Sequence, residues 1–291
     1  MPPKTIGFIG LGMMGTPMTA CLAKAGFPLL LADADTARAE TLCAERGARM
    51  LTPETAGEVD VLITMLPKSD IVEQVLLADG WADRLKPGTA VIDMSSSEPM
   101  RSRKLGEVLT GKGLGYLDAP VSGGVKRAVD GTLAILVGGD AELLEACRPV
   151  LDAMGGSILH IGAAGSGHAA KALNNFVSAS ALMATVEALH VAAKFGIDPA
   201  VMTDVLNAST GRSNTSENKV KPFMLSGTFG SGFSLALMDK DLGIAGALAE
   251  QVGYPMQVGA HNIAVWHEVA GRAGPAADHT EMYRFLADEE A

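Results

Sequence analysis

Thr5-Ile6-Gly7-Phe8-Ile9-Gly10-Leu11-Gly12-Met13-Met14-Gly15 is an apolar run ending on a glycine, then a turn with two further glycines, then a helical pattern that continues to Ala25. Strand, turn and helix in that order make Gly10, Gly12 and Gly15 a G-x-G-x-x-G motif. The first glycine permits a tight turn, the second lets main-chain N–H groups approach a pyrophosphate, and the third lets helix and strand pack closely. The phosphate would rest on the helix N-terminus, where unpaired N–H groups and the helix dipole favour an anion. A glycine-rich turn alone is weak, so its context matters. The next apolar run, residues 28–32, ends at Asp33, near the ~20-residue offset at which a carboxylate meets the adenosine ribose. A carboxylate there favours NAD and repels the extra phosphate of NADP. The competing reading makes Asp33, with Asp35 and Thr36, a cap for the helix over 37–46.

Outward from this unit the alternation continues. Strands are expected at residues 59–65, 89–93, 115–118, 132–137 and 158–161, with helices at 71–77, 99–109 and 141–151. Strands separated by helices predict a mainly parallel, doubly wound α/β sheet of Rossmann type, occupying residues 1–162. Ligands bind such sheets at the carboxyl ends of the strands, which selects the loops Leu66-Pro67, Ser95-Ser96-Ser97 and Pro120-Val121-Ser122-Gly123-Gly124. In the last of these, the Ser122 hydroxyl and the N–H groups of Gly123 and Gly124 can receive a small anion without a cation. The plain structural reading is a flexible turn.

From Gly165 the strand signal stops, and residues 163–291 read as an all-helical second domain entered through one long helix. That helix is predicted from Gly167 to about Phe195, roughly 45 Å at ~1.5 Å per residue. Between Asp152 and Glu187 the only residue fully charged at neutral pH is Lys171, and Asn175 lies one turn further along the same face. A lone ammonium among Ala, Leu, Val, Ser and Met is either solvated or used. The apolar run beyond it is too long for one face of a small domain, which predicts a partner subunit in a homodimer or homotetramer.

Composition narrows the function classes. A net charge of -10 argues against nucleic acid and anionic membranes as partners, since both select cationic surfaces. Cys21, Cys43 and Cys147 are odd in number and widely spaced, so they predict neither a disulfide framework nor a CxxC metal site and fit a reducing, cytoplasmic setting. The six histidines are scattered singly; no metal site is expected. The first residues lack a signal peptide's apolar core, and no uninterrupted apolar run reaches the roughly 18 residues that would span a bilayer. A soluble protein is expected.

Four separated stretches then line up with one family. Residues 8–18 resemble the dinucleotide signature of the β-hydroxyacid dehydrogenases, the group containing 3-hydroxyisobutyrate dehydrogenase and tartronate semialdehyde reductase. Asp118-Ala119-Pro120-Val121-Ser122-Gly123-Gly124 resembles their substrate-carboxylate loop, residues 165–175 their catalytic helix, and Met238-Asp239-Lys240-Asp241-Leu242-Gly243 their second lysine motif. The resemblance spans about residues 4–286. It implies Lys171 as the catalytic lysine, Asn175 beside it, Ser122, Gly123 and Gly124 on the substrate carboxylate, and Lys240 near substrate and cofactor. It also implies cofactor contacts from Gly10, Leu11, Gly12, Met13, Met14, Gly15, Leu66, Pro67 and Ser96, besides Asp33. Two departures stand out. Ser96 replaces a more usual Thr, and Asn174-Asn175 replaces the His-Asn of the longer 6-phosphogluconate dehydrogenases.

The implied activity is reversible hydride transfer between a small 3-hydroxy carboxylate and NAD, with NADP as the second cofactor. A lysine pKa of ~10.4 would need lowering by desolvation and by Lys240 for Lys171 to act as base; as an ammonium it would serve the reductive direction. The type is closest to 3-hydroxyisobutyrate dehydrogenase. Tartronate semialdehyde reduction and dehydrogenation of threonate-type sugar acids, serine or sulfonated analogues (sulfolactaldehyde type) are the alternatives. Imine reduction and a non-catalytic nucleotide-binding scaffold are the rivals outside the class, and Lys171 counts against both. Ser209-Thr210-Gly211-Arg212-Ser213-Asn214 reads either as a polar pocket wall or as a solvated loop with Arg212 in a surface ion pair.

Overall fold

Alternate residues of the central strands face opposite sides of one sheet, and both sides are covered. The strands are β1 (Ile6–Ile9), β2 (Leu29–Ala32), β3 (Arg49–Met50), β4 (Val61–Thr64), β5 (Ala90–Asp93), β6 (Gly115–Asp118), β7 (Val121–Ser122), β8 (Leu133–Gly139) and β9 (Gly155–Gly162). Ile6, Phe8, Leu29, Leu31, Val61, Ile63 and Ile92 enter one core with Met18, Leu22, Leu42 and Cys147. Ile9, Leu30, Leu62 and Val91 enter the other with Val72, Leu105 and Leu109. Burial on both faces is why these strands read as continuous apolar runs rather than alternating ones. The structure is a computed structural model that describes residues 4–287; residues 1–3 and 288–291, the outer ends of the two expected domains and the start of the region read for a signal peptide, lie outside the described residues.

The sheet order is β3-β2-β1-β4-β5-β6-β8-β7, with β9 also paired to β8. From β3 to β6 all pairings are parallel, Ile6 lying in register with both Leu29 and Val61. Beyond β6 the sheet, mainly parallel as expected, takes in one reversal, because β8 runs antiparallel to β6 and β7 and parallel to β9. Helices α1 (Gly15–Lys24), α2 (Thr36–Arg46), α3 (Ser69–Glu73), α4 (Trp81–Arg84), α5 (Pro99–Gly111), α6 (Gly124–Asp130) and α7 (Ala141–Asp152) fill the connections. A π-type turn over Gln74–Ala78 extends α3. The strand expected at 158–161 is longer, starting at Gly155. Short β3, β7 and α6 escaped the sequence pattern.

The chain divides into two compact units, Met1–Lys171 and Ala172–Ala291, with the division falling inside α8 (Ser166–Phe195). The second unit holds the rest of α8, then α9 (Pro199–Ala208), α10 (Asn214–Asn218), α11 (Leu235–Gln251), α12 (Gln257–Arg272) and α13 (Met282–Phe285). Its core gathers Leu182, Val186 and Leu189 from α8 with Met238, Leu242 and Trp266. A 3-10 turn at His279–Glu281 precedes the short α13. By length and composition alone α8 could cross a membrane, with a mean hydropathy of 1.5. Its inward residues form that core, while Val177, Val191 and Phe195 are exposed.

Candidate active site

The three motif glycines have three different physical reasons. Gly10 adopts φ +102, in the left-handed region that disfavours other residues, and a Cβ there would lie 2.3 Å from the Met65 carbonyl oxygen. At Gly15 a Cβ would lie 1.9 Å from the Gly10 oxygen, so helix and strand touch through backbone. Gly12 is different, since a Cβ there would meet no atom within 4 Å. No internal packing needs a glycine at this position, and the space above it is open. Met14 at the N-cap of α1 supplies no side-chain hydrogen bond to the helix start. An uncapped N-terminus over an open glycine suits a pyrophosphate. The loop therefore fits a dinucleotide, with Leu11 buried beneath it and Gly12 and Met13 exposed.

Asp33, at the end of β2, accepts the Leu11 N–H at 2.6 Å and the Asp35 N–H at 2.9 Å. It thus ties the glycine loop to the neighbouring strand. The α2 cap is Asp35, which accepts the Arg38 N–H, so Asp33 is not needed as a cap. Arg38 lies 3.5 Å from Asp33. A cleft of about 870 Å³ opens from the loop over α1, with Gly12, Met13, Arg38, Arg46, Val125 and Val129 among its walls.

The strand-end loops are held from below by two carboxylates that sequence reading missed. Asp93, wholly buried at the end of β5, accepts the Thr64 hydroxyl (2.9 Å), the Ser95 N–H (3.1 Å) and the Ser97 hydroxyl (2.9 Å). Ser95 in turn accepts the Leu66 N–H through Oγ at 2.9 Å. Of the three serines, 95 and 97 are buried in this scaffold and Ser96 is half-buried, while Leu66 is half-buried and Pro67 exposed. The residues expected to meet the cofactor are those the scaffold leaves accessible.

Asp118, at the end of β6 and also wholly buried, caps α8 from a distance. Its Oδ1 accepts the Gly165 N–H at 2.6 Å and its Oδ2 the His168 N–H at 2.8 Å. This is a borrowed N-cap, satisfying helix-start donors with a negative charge at the positive dipole end. Burial pushes the Asp118 carboxyl above its ordinary pKa, outweighing the opposite pull of His168 and the two N–H bonds. A Cβ at Gly167 would lie 2.3 Å from the Leu136 oxygen, and one at Gly138 2.4 Å from Asp118 Oδ1. Helix start, β6 and β8 are thus in backbone contact, and Lys171, half-buried, follows one turn after His168. Ser122 ends β7, paired with Ala134 of β8; Gly123 and Gly124, both at positive φ, lead into α6. In place of the flexible turn of the competing reading there is a strand-to-helix corner, with Gly124 opening α6.

In the second unit, Asn175 is buried and donates from Nδ2 to Asp241 Oδ2 at 2.6 Å. Asp241 also pairs with Lys240 at 3.2 Å. The two residues expected on the substrate, Asn175 and Lys240, are thus joined by a carboxylate within the second lysine motif that the sequence reading quoted and left without a role. Arg212 is exposed and pairs with Glu217 at 3.6 Å, and Ser213 and Ser216 form a capping box at α10. That matches the surface-ion-pair reading of this loop. Among the described residues no cluster of three metal-ligating side chains occurs, and the three cysteines are free.

Comparison with known proteins agrees with this layout. Residues 5–162 match the NAD binding domain of 6-phosphogluconate dehydrogenase, and residues 165–286 the NAD-binding region of NADP-dependent 3-hydroxyisobutyrate dehydrogenase. The mitochondrial 3-hydroxyisobutyrate dehydrogenase of Bos taurus is 35% identical over 300 residues, covering 100% of this chain and 89% of its own. The 2-(hydroxymethyl)glutarate dehydrogenase of Eubacterium barkeri is 38% identical over 254 residues, 86% of this chain and 84% of its own. A solved structure of Mycobacterium tuberculosis 3-hydroxyisobutyrate dehydrogenase with L-serine superposes with a TM-score of 0.91 at 36% identity, covering 98% of this chain and 99% of its own.

Proposed function

We propose that this chain, which belongs to the β-hydroxyacid dehydrogenase family, interconverts a small 2-substituted 3-hydroxypropanoate and its semialdehyde. As a family member it is an NAD(P)-dependent oxidoreductase acting on a CH–OH group. The substrate class follows from what the relatives' names have in common. 3-Hydroxyisobutyrate, 2-(hydroxymethyl)glutarate and serine all contain HOCH2–CH(R)–COO⁻ and differ only in R. A site that reads the shared hydroxymethyl and carboxylate can serve any of them, and R is left to the pocket wall. 3-Hydroxyisobutyrate is the first candidate.

The observation that carries the reading is Lys171 on a helix whose start is clamped to the sheet by Asp118. In oxidation the neutral Lys171 amine takes the hydroxyl proton; in reduction its ammonium returns that proton and stabilises developing oxyanion charge. The nicotinamide, when bound, supplies the hydride acceptor or donor. Gly12 and the start of α1 would hold the pyrophosphate, and Leu66, Pro67 and Ser96 would contact the cofactor. Ser122 with the Gly123 and Gly124 N–H groups holds the carboxylate, which orients the carbinol carbon. In the second unit Asp241 orients the Asn175 amide and pairs with Lys240, the two residues that the family resemblance assigns to the substrate. NAD is the favoured cofactor because Asp33 opposes a 2′-phosphate, an opposition that Arg38 partly offsets.

The test is reduction of NAD and NADP by purified protein over a panel of 2-substituted 3-hydroxypropanoates, threonate and a sulfonated analogue, beside Lys171→Ala. Turnover that disappears in the variant, with cofactor binding retained, is expected; an active variant would remove Lys171 from the chemistry. The exposed apolar side chains of α8 and α9, Val177, Val191, Phe195 and Val201, further support a homo-oligomer that covers them. Light scattering at the monomer mass would refute that assembly.

A further inference from the structure

His168 is 1% exposed and makes three directional contacts, each to a different part of the first unit. Its Nε2 lies 3.0 Å from the Ser95 main-chain oxygen. A carbonyl can only accept, so Nε2 carries the proton. Its Nδ1 lies 2.8 Å from Ser102 Oγ, and in the neutral ring this nitrogen accepts the serine proton. Its own N–H donates to Asp118. The charged groups facing the ring are Asp93 Oδ2, 3.9 Å from Nε2, and Asp118 Oδ2, 3.7 Å from Nδ1.

The Ser95 arm is the informative one. Ser95 gives its carbonyl to His168, its Oγ to the Leu66 N–H and its N–H to Asp93. One imidazole therefore joins the start of the helix bearing Lys171 to the loops after β4 and β5, where Leu66, Pro67 and Ser96 lie. Lys171 lies three positions after His168, so the two share a helix face one turn apart. We propose that His168 is a positioning residue that holds Lys171 in register with the cofactor loops through its Nε2–H bond to Ser95. The lysine's part rests on the function proposed above; the link between helix start and cofactor loops does not.

Two substitutions separate the arms. In His168→Gln the side-chain amide nitrogen reaches the place of Nε2 and keeps donating to Ser95, while Ser102 loses Nδ1 as acceptor and keeps the Glu98 main-chain oxygen at 3.1 Å. In His168→Asn a polar atom sits where Nδ1 was, so Ser102 keeps a partner and Ser95 loses its own. A merely structural histidine would make both variants comparably poor. The proposal expects His168→Gln and Ser102→Ala to keep kcat and the NAD dissociation constant within about threefold of the parent. His168→Asn should lose about tenfold or more in kcat and bind NAD more weakly, since misplacing a reacting group by about 1 Å costs on the order of a hundredfold. Melting curves for all three establish that folded enzyme is compared.

Equal losses in Gln and Asn, or parent-like kinetics in Asn, overturn the proposal. If His168→Asn does not fold, a tenfold loss in Gln or Ser102→Ala overturns it equally, and parent-like values in both support it. If the parent itself turns over no 3-hydroxy acid, the functional reading fails on its own account. The NAD dissociation constants then still decide the Ser95 arm.

Discussion

Gly12→Ala is expected to leave the folded protein intact while removing most of its cofactor affinity. A methyl group at Gly12 would meet no protein atom within 4 Å, and its φ is outside the range that strains an L-residue. Replacing a glycine under those conditions restricts the unfolded chain and stabilises the fold by about 0.4–1 kcal/mol. The same methyl would stand between the loop and a pyrophosphate. Losing one charge-assisted N–H bond costs about 1.5–3 kcal/mol, and a tenfold change in Kd corresponds to about 1.4 kcal/mol, so NAD should bind roughly ten- to hundredfold more weakly. Gly15→Ala is the control, because its Cβ would sit 1.9 Å from the Gly10 oxygen and backbone must move. It should lower the melting temperature clearly. The assay is thermal unfolding without cofactor together with NAD titration by isothermal calorimetry. If Gly12→Ala binds NAD as tightly as the parent, the pyrophosphate does not rest on this loop. If it is less stable than the parent, the open space above Gly12 has been misread.

Asp33→Asn keeps an oxygen for the Leu11 N–H and removes the charge facing Arg38. The ratio of NADP to NAD use should rise by about tenfold, and Arg38→Ala should shift it the other way; unchanged ratios measured by steady-state kinetics would place the ribose elsewhere. His279, 2% exposed, is held to a pKa of about 4 by burial and by Lys219, against an ordinary 6.5. Below pH 6.5 the unfolded chain takes up a proton that the folded chain refuses until about pH 4, so stability falls as pH drops through that window, by roughly 3 kcal/mol in all. Urea unfolding at about pH 7.5 and about pH 4.5 should show this loss in the parent and a smaller one in His279→Asn. A histidine resonance for this ring titrating near its ordinary value would refute the assignment.

What could be read from the sequence, and what could not, divides by the distance over which each cause acts. The strand-turn-helix around Gly10, Gly12 and Gly15 is local, and so are the apolar runs of β1, β2, β4 and β5, whose burial on both faces leaves one unbroken signal. The place of Asp33 at the end of β2, against the glycine loop, was legible because its offset from the glycines is fixed by the length of one helix and one strand. Short β7 and α6 were not, because a two-residue strand has no period and Gly123-Gly124 reads as a turn. The reversal of β8 is likewise silent, since an apolar strand looks the same in either direction. Asp118 and His168 were hidden for another reason. The carboxylate meets the N–H groups of Gly165 and His168 across gaps of 47 and 50 residues, and no spacing rule covers a cap delivered from another strand. Yet both residues stand inside stretches that chemistry had already singled out, four residues before Ser122 and three before Lys171. A polar residue expected to touch substrate must be held still, and the group that holds it has to be near it in space. In a doubly wound sheet the ligand-binding residues cluster at the strand ends, so their supports are the buried polar residues at those same ends. Asp93 and Asp118 meet that description at the ends of β5 and β6, and His168 reaches the same layer from the start of α8 through its N–H bond to Asp118.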